Sequence, residues 1–303
     1  MLKNYLKIAW RNLIKSKVYS AINIVGLAVG MAVAILISLW VWDELSYNKQ
    51  FANYNHIVRV YENSTHSGIT NTFNSMPIPL ANEFRTKYGS DFMRVALCSW
   101  EFSNILAYNN KKLSLNGMFA QPDFPAIFSL KMVKGNWHGI DDPTSIILNE
   151  STARALFGDE DPMGKVVKIS NKANLKVSGI FADLPYNGEF RDVKYLVPWQ
   201  YYENSESWVK RDETEWDDNS FQIYAQLADN TIADKVGAKV RKALEGHNRN
   251  DKPEVLLHPM AKWHLYGEFK DGKNTGGNIE FVWMFGLIGF FVLLLACINF
   301  MNL

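Results

Sequence analysis

Two stretches without a single charge frame this chain: residues 18–42, VYSAINIVGLAVGMAVAILISLWVW, and residues 281–303, FVWMFGLIGFFVLLLACINFMNL. At about 1.5 Å of rise per residue, helices of these lengths reach roughly 37 and 34 Å. A bilayer core is about 30 Å thick and needs about 20 apolar residues to cross it. Both stretches are therefore expected to span. A cleaved signal peptide does not fit the first of them. An h-region is about 7–15 residues long and ends at small residues, whereas this run is longer and leads into the bulky SLWVWDELSY.

Charge sets the expected orientation. Lys3, Lys7, Arg11, Lys15 and Lys17 precede the first span with no acidic residue among them, Asp43 and Glu44 follow it, and Glu280 precedes the second. Basic flanks stay on the cytoplasmic side. The N-terminus is thus expected inside, residues 43–280 outside, and Leu303 back at the inner face. Trp40, Trp42 and Trp283 suit an interfacial belt at the outer side. Residues 1–17, MLKNYLKIAWRNLIKSK, carry apolar residues on one helical face and Lys3, Lys7, Arg11 and Lys15 every four residues on another. That pattern predicts a basic amphipathic helix lying on the inner lipid surface. Within the first span, Gly26 and Gly30 stand one turn apart, a spacing that lets a second helix approach closely.

The outer segment of 238 residues alternates strand-like and helix-like pieces. HIVRVYEN alternates as a strand does. PIPLANEFRTKYG opens on prolines and closes on Gly89, as a helix does. NILAYNNKKLSLNGMF reads as a hairpin turning at Asn109-Asn110. TSIILNESTARALFG predicts a strand and then a helix capped by Asn149 and ended by Gly158. KVVKISNKANLKVSGIFADLP predicts a second hairpin and NSFQIYAQL a strand. TIADKVGAKVRKALEG predicts a helix with Ile232, Val236, Val240 and Leu244 on one stripe, Thr231 as cap and Gly246 at its end. PEVLLHPM is expected to be the last strand. The fold class is an α+β ectodomain of two subdomains, flanked by two transmembrane helices.

Several chemistries are excluded or unsupported. The outer segment carries 27 basic and 31 acidic residues, which is no nucleic-acid footprint. Cys98 and Cys297 fall in different media and cannot pair, and a domain of this size needs no disulfide. DGKNT has a Gly-Lys without the upstream glycine or the following Ser/Thr of a phosphate loop. His258 and His264 are six apart, which is not a usual metal-ligand spacing. DETEWDD lacks the ordered carboxylates and turn glycine of a calcium loop and is expected to be a solvated loop. No G-x-S-x-G occurs. The sequence therefore offers no catalytic, cofactor or metal residues. LFGDEDPMGKVVKI reads as a structural corner: Gly158 stops a helix, Asp161-Pro162 starts a turn, and Gly164 allows the bend into a strand.

Four stretches in order, LKIAWRNLIKSKVYSAINIVGLAVGMAVAILI, DELSYNKQFANYNHIVRV, ILNESTARALFGDEDPMGKVVKI with VSGIFADLPYNGEF, and HLYGEF with GNIEFVWMFGLIGFFVLLLACINFMNL, together resemble FtsX-like, MacB-type ABC transporter permeases from end to end. Phe157, Gly158, Asp161, Pro162 and Gly164 lie in the stretch similar to the family's periplasmic core signature. Met163 stands where the family usually has isoleucine, and Asn48 where aspartate is common. The resemblance implies an inner-membrane permease in two copies or halves, driven by a separate ATP-binding subunit, with a periplasmic domain between its first two spans. It also implies that the chain continues past INFMNL into further spans, with the ATPase-docking residues beyond Leu303. Substrates of relatives include peptides, toxins, lipoproteins and regulation of cell-wall hydrolases. The layout alone also fits a two-span receptor with an outer ligand-binding domain.

Overall fold

The computed structural model describes Arg11, Lys15, residues 17–247 and residues 252–301. Lys3, Lys7 and most of the expected basic surface helix lie outside the described residues; Arg11 and Lys15 are helical and exposed. The chain divides into two compact units, one holding the terminal helices and the other Tyr47–Thr275.

The first unit consists of α1 (Lys17–Leu45) and a second long helix at the C-terminal end (Ile279–Met301). Both are long and apolar enough to cross a membrane. The first helix runs past the charge-free stretch through Asp43 and Glu44 to Leu45, and the second already includes Glu280 in its first turn. Their outward faces carry exposed apolar side chains such as Val18, Leu36, Trp42 and Leu295, a surface suited to lipid and not to water.

In the second unit, β1 (Ile57–His66) and β2 (Ile69–Phe73) form a hairpin, followed by α2 (Ile78–Lys87) and β3 (Phe92–Cys98). Next come β4 (Phe102–Tyr108), β5 (Lys111–Ala120), α3 (Phe124–Ile127) and β6 (Met132–Lys134). Then follow β7 (Ser145–Asn149), α4 (Glu150–Phe157), β8 (Val166–Ile169), β9 (Ala173–Phe181) and β10 (Tyr195–Pro198). The remainder comprises α5 (Trp199–Ser205), α6 (Ser207–Arg211), β11 (Gln222–Leu227), α7 (Ala233–Val240), β12 (Glu254–Pro259), α8 (Met260–Trp263) and the hairpin β13 (Glu268–Lys270)–β14 (Lys273–Gly276). The long C-terminal helix is α9.

Twelve of the strands form one sheet with two lobes. Strands β5, β10, β7, β9, β8 and β4 pair in turn and return to β5, closing a ring. Strands β3, β11, β1 and β12 continue as an open sheet, with β2 paired to β1. Among the described residues the strands of the two lobes join where Cys98 stands opposite Ala120, with the Ser99 amide donating to Phe119 O and the Gln121 amide to Leu97 O on either side. The two expected subdomains are thus two lobes of one compact unit. One hydrophobic cluster runs through both, from Leu106, Ile146 and Val177 in the ring to Val58, Ile223 and Leu257 in the open sheet. Inside the ring the Tyr195 ring fills the space where Gly117 lacks a side chain, since a Cβ there would lie 2.4 Å from it. Burial pushes the Tyr195 hydroxyl pKa up to about 12, and Asn104 Nδ2 donates to that hydroxyl at 2.8 Å.

Most expected elements fall where the pattern put them. Asn149 caps α4 by accepting from the Thr152 amide, and Gly158 ends it at φ 64°. Three expectations need correction. Thr231 does not cap α7; its hydroxyl donates to Ala228 O at 2.7 Å, Ile232 is the capping residue, and the helix ends at Val240. Strand β12 is not the last, because β13 and β14 follow around Asp271-Gly272, both at positive φ. These strands have three and four residues, too short for an apolar alternation to show. The DETEWDD stretch is not wholly solvated: Asp212 is buried and accepts from Arg211 Nε at 3.1 Å.

The contact pattern leads to one expectation for isolated protein. Residues 43–280 expressed alone should melt cooperatively, and reductant should leave the melt unchanged because Cys98 is buried and unpaired. A molten product, or a reductant-sensitive transition, would contradict it.

Candidate functional site

The spans meet along a seam with coiled-coil spacing. On α1, Ser20, Asn23, Gly30 and Ala34 are buried, with Leu27, Ile37 and Val41 partly so, a 3-4 repeat. On α9, Val282, Gly289 and Ala296 are buried at seven-residue intervals. Gly30 lies against Ala296: a Cβ added there would stand 2.5 Å from the Ala296 Cβ. Gly26 sits beside the seam, exposed, where an added Cβ would make an ordinary 3.5 Å contact with Asn299 Nδ2. A Cβ on Gly289 would meet Ile37 at 3.0 Å. At the other end Trp40 packs edge-on against Phe285, ring centroids 5.1 Å apart. Trp42 and Trp283 are exposed near the same ends of the pair, as an interfacial belt requires.

A second constellation fixes the chain as it enters and leaves the outer domain. Residues just after α1 are held at four positions. Tyr47 stacks on His264 at 3.8 Å. Asn48, at φ 65° and buried, donates its amide to Asn187 O at 3.1 Å and accepts from the Glu189 amide through Oδ1 at 2.7 Å. Asparagine tolerates this left-handed conformation better than most residues. Phe51 packs edge-on against Phe128, and Asn53 Nδ2 donates to Ile127 O at 3.1 Å and Ser129 Oγ at 3.0 Å. Gly188 has no side chain because Gln50 occupies that space.

Behind this clasp lies Arg59 on β1. Its guanidinium pairs with Glu189 and sits over Trp263 and Tyr224, 4.5 and 5.2 Å from the ring centroids. Burial alone would lower the Arg59 pKa, but Tyr224 and Glu189 outweigh it and hold it above its ordinary value. His258 is the cross-strand partner of Arg59 on β12 and faces Tyr61 and Phe269. Arg59 thus ties Glu189, beside Asn48, to Trp263 on α8, the last helix before the chain returns to α9.

His258 gives the cluster a pH dependence. Burial first, then the Arg59 and Lys262 charges, pull its pKa from 6.5 down to about 4. The unfolded chain therefore binds a proton between these values that the folded domain refuses. Stability is complete above pH 6.5 and falls as pH drops toward 4, by about 3 kcal/mol in total. Urea melts from pH 7 to 4 should show this slope, and His258→Leu should flatten it; an equal slope in the variant would refute the assignment.

The corner motif is a clamp between α4 and the β8–β9 hairpin. Phe157 is buried against Tyr108 at 4.4 Å. Asp161 Oδ1 accepts from the Met163 amide at 3.1 Å and from Lys134 Nζ at 2.9 Å. Pro162 O accepts from the Lys165 amide, and Gly164, at φ 76°, donates to Val177 O at 2.8 Å. Asp183, in the FADLP stretch, accepts from the Ser151 amide and hydroxyl at the start of α4. Among the described residues no group of three or more His, Cys, Asp or Glu side chains is placed to hold a metal ion. His258 and His264 engage different aromatic partners, Tyr61 and Tyr47.

The family profile of the MacB-like periplasmic core domain matches residues 20–243. No curated protein matches the chain. Among solved structures, a domain of a protein described as a permease from Porphyromonas gingivalis is similar at 16% identity and a TM-score of 0.58, covering 69% of this chain and 91% of that one. The periplasmic region of MacB from Actinobacillus actinomycetemcomitans is similar at 18% identity and a TM-score of 0.51, with the same coverages of 69% and 91%. At these identities the likeness is one of fold.

Proposed function

The chain belongs to the MacB-like periplasmic core domain family, and from that premise we propose that it is a membrane-spanning permease subunit of an ABC transporter. In this reading a separate ATP-binding subunit hydrolyses ATP in the cytoplasm, and α1 carries the resulting movement into the outer domain. This chain holds no cofactor and does no hydrolysis. It works in two copies or halves. The basic residues Lys3, Lys7, Arg11 and Lys15 hold the N-terminal side at the anionic inner surface, each contributing about 1 kcal/mol near the membrane, and residues 43–280 lie in the periplasm.

The observation that carries this reading is the continuity of the family match. It starts at residue 20, inside α1, and runs to residue 243 in the outer domain, so one family profile covers most of the helix and most of the domain together. The clasp supports it mechanically. A helix can move a domain only if the first residues beyond it are fixed, and Tyr47, Asn48, Phe51 and Asn53 all are.

The test is biochemical. Full-length permease purified from membranes should bring down an ATP-binding subunit, and the pair, but not the permease alone, should hydrolyse ATP. In cells with an intact inner membrane, an impermeant thiol reagent should label Ser67→Cys, which lies on an exposed turn. Hydrolysis by the permease alone, absence of any ATP-binding partner, or labelling only after the inner membrane is breached would overturn the proposal.

A further inference from the structure

The ring lobe carries a cavity of about 360 Å³ between the start of β4, the end of β5, the β8–β9 turn and the helices α5 and α6. Its wall is aromatic. Phe119 lies parallel to Tyr202 with centroids 4.2 Å apart and near Tyr201 at 6.1 Å, and Tyr202 meets Trp208 edge-on at 6.0 Å. Phe102 contributes a ring that is 41% exposed. Phe119 and Tyr202 are buried core residues at the base of the cavity, while Phe102, Tyr201 and Trp208 present partly exposed rings to it.

The polar lining narrows what could fill it. Lys172 and Glu206 both line the cavity and pair with each other at 3.0 Å, so their two charges cancel and favour no ion. Ser170 spends its hydrogen on Asn104 Oδ1 at 2.7 Å, and Ser205 on Tyr202 O at 3.2 Å. Both hydroxyl oxygens therefore keep acceptor capacity, while Lys172 keeps N–H donors and Glu206 keeps further lone pairs. A purely apolar occupant would leave the hydrogen-bonding capacity of this rim unused. A charged occupant would meet a rim whose two opposite charges are already paired. An occupant with a flat C–H face and a rim of hydroxyls matches both the rings and the rim, and the volume is in the range of small-molecule sites.

We propose that this cavity binds a neutral sugar ring, its apolar face on the aromatic wall and its hydroxyls on Lys172, Glu206, Ser170 and Ser205. The inference stands on the outer domain alone and does not depend on the transport reading.

The full chain in nanodiscs should be titrated with a panel of neutral sugars (N-acetylglucosamine, glucose and galactose), with glucosamine and glucuronate as charged counterparts of the same size, and with an uncharged acetylated Ala-Phe-Ala amide. Tryptophan fluorescence and saturation-transfer NMR report binding. At least one neutral sugar is expected to bind saturably, with its ring protons against aromatic protons, and more tightly than its charged counterpart. Phe102→Ala and Lys172→Ala change exposed side chains and should leave the melting curve in place while weakening that sugar tenfold or more. No binding by any neutral sugar, preference for the peptide or a charged sugar, or binding unchanged in both variants would each overturn the proposal.

Discussion

Arg59→Met is expected to destabilise the outer domain by about 3–5 kcal/mol, because it removes one partner of a buried ion pair and leaves the other behind. Arg59 is almost fully buried, and its guanidinium is the common neighbour of Glu189, Trp263 and Tyr224. Methionine retains most of the volume, so the loss reports the charge and the ring contacts more than a cavity. For a domain of this size the change corresponds to roughly 10–15 °C in Tm. Lysine should not rescue it, since an ammonium cannot pair with Glu189 and lie flat over two rings at once. Adding Glu189→Leu to Arg59→Met should recover a large part of the loss, because the stranded carboxylate is then gone. The acid limb offers an independent readout. Arg59 is one of the charges that depress the His258 pKa, so the variant should lose stability over a narrower and more alkaline part of the pH 6.5 to 4 window. A loss below about 1 kcal/mol, within the range of an exposed pair, would show that the cluster is not a keystone.

What the sequence shows and what it hides divide along physical lines. The spans, the β4–β5 and β8–β9 hairpins and the capped helix after β7 are local features. Each is written in a run of apolar residues, a turn residue or a cap, and each is found in its place. The closing of the ring is not local. It depends on β10, four residues long, pairing in parallel with β5 across some eighty positions of chain, and nothing in YLVP announces a partner. The clasp is hidden for the same reason: Asn48 and Arg59, Glu189, and Trp263 come from three regions far apart in the sequence. One signal was present. Arg59 interrupts the apolar alternation of IVRVY, and a charge inside such a strand needs a buried partner. The partner itself could not be read. Gly26 and Gly30 show the limit of spacing arguments in a membrane helix. Both fit the small-residue pattern, but the 3-4 seam passes through residue 30 and leaves residue 26 at its margin.

That difference makes the two glycines a controlled pair. On the proposed transport reading, Gly30→Leu is expected to reduce ATP-driven transport about tenfold or more, the effect of roughly 1–3 kcal/mol of overpacking at one helix crossing. A Cβ at residue 30 would be 2.5 Å from the Ala296 Cβ, an atom fixed to the backbone that cannot turn away, so no rotamer relieves the clash. The helices must separate along the seam, and force applied to α1 no longer moves α9 with it. ATP hydrolysis should continue, and the outer domain should melt unchanged, since Gly30 belongs to the other unit. Gly26→Leu should change transport little, because its new side chain points beside the seam. The decisive variant exchanges the methyl group across the interface. Gly30→Ala alone should impair transport, and Gly30→Ala with Ala296→Gly should restore it, because the same volume is then placed on the opposite helix. Transport and ATPase rates measured together in reconstituted vesicles separate the outcomes. Normal transport in Gly30→Leu, or failure of Ala296→Gly to rescue Gly30→Ala, would mean that close packing at this crossing does not carry the coupling.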